Sequence, residues 1–164
     1  MVITCARSQR EKLGIRMLTG YFAKLKTYTD NGLIPVSIAL YSPKWYSGLE
    51  YKKLAPTPEI LRDFKEGEFA GDIDKYKETY NRDILGHLNP KTVVDELTRL
   101  AGTADGGKII LLCYEKPENF CHRHLVAEWL MDYRETERDP YVGYVMEAFT
   151  PTEPAYLPNL GIFY

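Results

Sequence analysis

The stretch KIILLCYEKPENFCHRHLVAEWL, Lys108 to Leu130, decides the fold. Ile109, Ile110, Leu111, Leu112 and Cys113 form an unbroken apolar run, the pattern of a strand covered on both faces. Leu125, Val126, Trp129, Leu130 and Tyr133 then fall on one face of a helix. Between strand and helix sit Glu115, Cys121, His122, Arg123 and His124. In an open α/β sheet, ligands collect at the carboxyl end of a strand and at the first turn of the helix that follows.

Working outward, Ile15 to Tyr21 reads as a first strand, with Gly20 either ending it or letting a ligand approach. Asp30-Asn31-Gly32 is a turn, and Leu33 to Tyr41 is a second strand. Ser42 to Pro58, rich in aromatics and lysines, has no period and reads as a long loop, a length usually tied to function. Thr57-Pro58-Glu59 opens a short helix with Ile60, Leu61 and Phe64 inward. Asp72 caps a second helix carrying Ile73, Tyr76, Tyr80 and Ile84. Asn89-Pro90 opens a third, with Val93, Val94, Leu97 and Leu100 facing in, and Gly102 to Gly107 turns into the central strand. Asn119, or the pair Glu118-Asn119, is placed to cap the central helix. Arg134 to Pro140 reads as a charged loop and Tyr141 to Met146 as a last strand. The long helical crossover between the second strand and the central one is the evidence for parallel strands. The expected fold class is α/β: a three-layer sandwich with a small, mostly parallel sheet, one domain over residues 1–164.

The totals narrow the function classes. The chain has 164 residues, 45% apolar and 27% charged, enough to bury a core. No apolar run approaches the roughly 20 residues of a membrane span. The start lacks the apolar core of a secretory signal, and three cysteines do not make a disulfide framework, so a cytoplasmic protein is expected. With a net charge of −2, polyanion binding would need a local basic patch rather than a global field. Residues 1–14 form a polar lead-in; residues 149–164 form an apolar, proline-containing tail expected to lie across the body or to dock a partner, including another copy.

Cys121-His122-Arg123 carries the chemistry. A helix start has unpaired N–H groups and the positive end of the dipole, so it favours anions. Arg123 would add donors suited to phosphate or carboxylate. The same field would favour the Cys121 thiolate, and His122 could carry its proton. Ala127 stands where a tyrosine-phosphatase-like loop would have arginine, so that reading fails. Glu115 is a candidate acid, base or hydroxyl acceptor, while Cys113 reads as core. Cys113, Cys121, His122 and His124 are conceivable zinc ligands, but without paired CxxC spacing no metal site is expected. Lys44, Trp45, Tyr21 and Ser42 would line the opposite wall, since the other strands end on the same side. Lys44-Trp45-Tyr46 with Tyr51-Lys52-Lys53 mixes cations and aromatics, a combination that can stack bases and contact phosphates.

These residues resemble the domain-of-unknown-function 488 (DUF488) family, in its compact branch seen in bacteria and phages. The likeness rests on Thr19-Gly20-Tyr21-Phe22, Pro35-Val36-Ser37-Ile38, Ser42-Pro43-Lys44-Trp45, Leu54-Ala55-Pro56, Leu111-Leu112-Cys113-Tyr114-Glu115, and Cys121-His122-Arg123 with Leu125-Val126-Ala127. It implies that Cys113, Glu115, Cys121, His122 and Arg123 share a signature site. Where other members often carry Asp-Val-Arg, this sequence has Ala39-Leu40-Tyr41. The family lends no established activity and no cofactor.

The reading that follows is an α/β protein binding a phosphate-bearing small molecule, a nucleotide or nucleic acid at the Cys121 turn, with thiol or acid/base catalysis. Its rivals are a non-catalytic nucleotide or nucleic-acid binding module and an interaction protein docking through its tail.

Overall fold

The computed structural model describes residues 15–103, 108–137 and 144–147. The lead-in, the tail and parts of two turns lie outside these residues, and so do the expectations about them.

Five strands, β1 (Ile15–Tyr21), β2 (Ile34–Ser37), β3 (Leu49–Glu50), β4 (Ile109–Cys113) and β5 (Tyr144–Glu147), form one sheet in the order β3-β2-β4-β1-β5. All four pairings are parallel. Five helices accompany them: α1 (Leu25–Asp30), α2 (Pro58–Lys65), α3 (Ile73–Asp83), α4 (Pro90–Ala101) and α5 (His122–Glu137). The expected α/β class with a parallel sheet is therefore found. No helix among the described residues is long and apolar enough to cross a membrane.

β4 is the hub because every one of its five residues is buried. Its alternation splits the core in two. Ile109 and Leu111 pack with Ile60, Tyr76, Tyr80, Val93, Leu97, Leu125, Val126 and Leu130, which are contributed by α2 to α5. Ile110 and Leu112 pack with Leu18 of β1 and with Phe22, Tyr28, Ala39 and Tyr46, drawn from α1 and neighbouring loops. One face of the sheet is thus covered by four helices, the other by one short helix and folded loops.

The helix starts follow their capping residues. Thr57 Oγ1 accepts from Ile60 N (3.2 Å), an Asp72 carboxylate oxygen from Lys75 N (3.0 Å) and Asn89 Oδ1 from Thr92 N (3.1 Å). Each satisfies a backbone donor that has no partner inside the helix.

Several expectations are corrected. The first connection is not a bare turn: α1 fills it, and Gly32, at φ +77°, only closes it. β2 stops at Ser37 rather than Tyr41. Ser37 Oγ takes the Ala39 N–H (3.3 Å) and bonds the Ser42 hydroxyl (2.7 Å), bending the chain, while Lys52 Nζ donates to the carbonyls of Ala39 and Leu40. The Ser42–Pro58 segment is not structureless; it holds β3 and a 3-10 turn at Lys52–Leu54. Gly20 makes room for a neighbour, not a ligand, since a Cβ there would meet the Tyr28 ring at 2.7 Å and Ile110 at 2.8 Å. Arg134 to Glu137 continue α5 rather than starting a loop. Ile73 and Leu100, expected inward, are exposed at the ends of their helices.

The strand order creates a particular place. From β1 the chain passes through α1 to β2, moving past β4 in one direction. From β4 it passes through α5 to β5, moving past β1 in the other. α1 and α5 lie on opposite faces, so both crossovers can keep the same hand. Between β1 and β4 the order reverses. That is where a crevice opens outside the carboxyl ends in folds of this class. Tyr21 and Cys113, paired in register, end the two strands there.

Candidate functional site

Three reactive side chains meet at this reversal. Cys113 is the last residue of β4, Cys121 immediately precedes α5 and His122 opens it. The helix begins at His122, so Cys121 rather than Asn119 stands immediately before it, and the Asn119 N–H turns back to the Lys116 carbonyl (3.0 Å). Both sulfurs face one nitrogen: His122 Nδ1 lies 3.7 Å from Cys113 Sγ and 3.9 Å from Cys121 Sγ. The other ring nitrogen, Nε2, lies 2.8 Å from the Ile38 carbonyl oxygen. A carbonyl only accepts, so Nε2 carries the proton and donates it. In the neutral ring Nδ1 is then a lone pair directed at two thiols. Ile38 is itself fixed, because its N–H donates to Leu112 O (3.0 Å) and continues the β2–β4 ladder.

The cluster is buried. Cys113, Cys121 and His122 are 7%, 4% and 5% exposed, and Arg123 is fully buried. Sulfur, imidazole and guanidinium, which the sequence gathers at one helix start, lie together beneath the surface. Phe22, Tyr28 and Tyr46 share the apolar cluster holding both sulfurs, and the Tyr80 ring packs 5.5 Å from that of His122. Arg123 is thus a buried side chain rather than an exposed fork.

The two thiols are shifted in opposite directions, first of all by the hydrogen bond between them. Cys121 is held well below the usual thiol range, chiefly by a hydrogen bond from Cys113, then by His122 and the positive charge of Arg123, against the cost of burial. Cys113 is pushed up by giving that hydrogen bond and by its own burial. Tyr76 is raised by burial first and by the nearby sulfurs second; Tyr80 is raised by burial first, then by Tyr76 and then by the sulfurs. One thiol is poised to ionise and its neighbour to keep its proton.

The remaining residues of the expected site are spread around the carboxyl edge. Tyr21 is buried beside Cys113 at the strand ends. Ser42 is committed to Ser37. Lys44 and Glu115 are exposed, in the loops that follow β2 and β4. Trp45 is exposed too and sits edge-on to Phe22, which also contacts Tyr46 and Tyr114. Tyr114 donates its hydroxyl to the Tyr41 carbonyl, clasping the loop after β4 to the loop after β2. Tyr41, Trp45 and Tyr114 are the exposed aromatics of this edge.

Sequence reasoning reads Cys113 as core, which its burial bears out, and only the family resemblance adds it to the site; Ile38 is missed altogether. The signal for Cys113 was its place as the last strand residue, facing the turn that carries Cys121. A backbone acceptor such as Ile38 leaves no trace in residue types.

A family model described as the active DUF488-N3 subclade (DUF488-N3a) matches residues 27–134, well over half of the chain, spanning the second strand, the central strand and the thiol cluster. No curated protein and no solved structure matches it.

Proposed function

This chain belongs to the DUF488 family, and from that premise we propose that it is a thiol-dependent enzyme acting on a nucleotide or another phosphate-bearing substrate at the carboxyl edge of its sheet. The observation that carries the reading is the tautomer of His122: with Nε2 given to Ile38, Nδ1 is committed to Cys121 and Cys113. A nucleophile beside a base that a third group orients is the general arrangement for covalent catalysis. Cys121 is the nucleophile, His122 its proton partner and Arg123 the buried charge that favours the thiolate. Glu115, exposed in the loop beyond Cys113, is a second acid or base.

The substrate class rests on the rim. Tyr41, Trp45 and Tyr114 offer exposed rings, and Lys44 stands beside Trp45. Rings stack on bases and a lysine meets a phosphate, whereas a net charge of −2 offers no wider attraction for a polyanion. The thiolate is covered, so substrate reaches it when the Tyr114–Tyr41 clasp opens.

Iodoacetamide labelling of reduced, metal-free protein, mapped by mass spectrometry, tests this. Cys121 should label faster than Cys113 or Cys5. Turnover should be lost in Cys121→Ser, with nucleotide binding retained. Cysteines that label only on unfolding would remove the enzyme. Nucleotide binding that nonetheless survives Cys121→Ser would then leave a non-catalytic binding module.

A further inference from the structure

The distances among the three side chains point to something beyond thiol chemistry. In a tetrahedral zinc site, a sulfur and an imidazole nitrogen on the same ion lie roughly 3.6 Å apart, from bond lengths of about 2.3 and 2.0–2.1 Å. Here the two sulfur–Nδ1 separations are 3.7 and 3.9 Å, and all three ligand atoms fall within 4.8 Å of one another. An ion would enter by drawing the two sulfurs, within 4.8 Å of each other here, toward the roughly 3.8 Å of a tetrahedral pair.

A second observation is independent of the first. A ligating histidine nearly always donates its other N–H to a carbonyl or carboxylate, which fixes the ring and raises the basicity of the ligating nitrogen. His122 Nε2 and the Ile38 carbonyl, 2.8 Å apart, supply that partner. Burial adds a third. Two thiolates balance a divalent cation, and paired or metal-bound charge is the form in which charge is tolerated inside a protein.

We propose that Cys113 Sγ, Cys121 Sγ and His122 Nδ1 are a three-ligand site for a thiophilic divalent cation of the zinc class. Among the described residues no further cysteine, histidine or carboxylate joins the group. The fourth position is therefore left to water or an incoming ligand, the pattern of catalytic rather than structural zinc. The sequence offers these ligands but argues against the site, because they are separated as Cys113 and Cys121-His122, without paired CxxC spacing. The fold unites them by setting the end of β4 against the start of α5.

The site shares residues with the thiol enzyme but makes a separate claim, since a bound ion would hold the Cys121 sulfur and protect it from alkylation. The test uses the full chain, reduced and stripped with chelator, titrated with Co²⁺ and then with Zn²⁺. A thiolate-to-cobalt charge-transfer band should saturate at one Co²⁺ per chain, and Zn²⁺ should bleach it. Binding should weaken as pH falls, because the ligands must lose protons. Cys113→Ser and Cys121→Ser should each weaken binding at least about tenfold, while Cys5→Ser leaves it unchanged. Circular dichroism of each variant confirms that it is folded. Zn²⁺ should also slow alkylation of Cys121 in the unmodified chain, a readout that needs no variant. No band, or a band that survives in both serine variants, overturns the site. If the band is absent while Cys121 still alkylates rapidly, the cation site falls and the thiol enzyme stands. A band together with slow alkylation of stripped protein gives the reverse.

Discussion

Two polar clusters in this molecule can be set side by side. In one, the Tyr51 hydroxyl donates to Glu96 on α4, and Lys53 Nζ donates to both oxygens of the same carboxylate at 2.9 and 3.0 Å. In the other, Cys113, Cys121, His122 and Arg123 meet under the carboxyl edge. The first is open to water, and its charges are opposite and already paired, as in surface ion pairs that fasten one element to another. The second is buried, and its ionisation is decided by its own members. Charge beside solvent has a cheap alternative in hydration; charge inside does not. The first cluster therefore reads as fastening and the second as chemistry.

The sharpest way to break this contrast is to delete a charge from each. Arg123→Ala should lower the unfolding free energy by about 3–5 kcal/mol in urea titration, through a lost buried side chain and the sulfurs it leaves without its charge. Glu96→Gln should cost about 1 kcal/mol or less. Arg123→Met, which keeps most of the volume, should lie between. Equal losses at the two sites would erase the distinction.

Tyr80 sharpens it. Its hydroxyl donates to the Leu54 carbonyl at 2.6 Å in a buried setting beside His122. Tyr80→Phe leaves that carbonyl without its donor and should cost about 1–3 kcal/mol by the same titration. An unchanged stability would mean that this edge is wetter than its burial implies. Next in size is the clasp. Tyr114→Phe removes one hydrogen bond from the cover and should speed alkylation of Cys121 by up to about tenfold. No change would place the route to the thiol elsewhere.

The smallest effect is one of pH. Tyr51 and then Lys53 hold Glu96 below the usual carboxylate range by hydrogen bonding. A carboxyl whose folded value is depressed contributes stability above its unfolded value, about 4.3, and loses it as pH falls through the folded value. The unfolding midpoint of the protein relative to Glu96→Gln should accordingly narrow on acidification below about 4.3. A difference that widens would reverse the assignment.

Much of the frame was legible in the sequence. β4 could be read from uninterrupted apolar residues, β1 from a shorter apolar stretch, and three helix starts from Thr57, Asp72 and Asn89, because those signals are local. α1 was not, since LKTYTD has too few apolar positions to show a period and its one buried residue, Tyr28, is held by the opening at Gly20. β3, at two residues, is too short for any pattern. The site was legible as a set of residue types but not in depth. Cys121, His122 and Arg123 looked like an exposed helix start because the side chains that bury them, Phe22 and Tyr46 among them, come from distant loops. The end of β2 was misplaced for a related reason. Ile38 and Ala39 are buried as strand residues would be, yet Ser37 and Ser42 bend the chain there, and the bend frees the Ile38 carbonyl for His122.

The central claim is that His122 and the two cysteines form one unit rather than three neighbours. Selective alkylation at neutral pH, in stripped and reduced protein, reads it most directly when the unmodified chain is compared with His122→Ala, both checked for native fold. If the unit exists, Cys121 labels ahead of Cys113 in the unmodified chain, and its lead disappears without the imidazole. If Cys121 labels at the same rate with and without His122, the imidazole is packing only, and the account is contradicted.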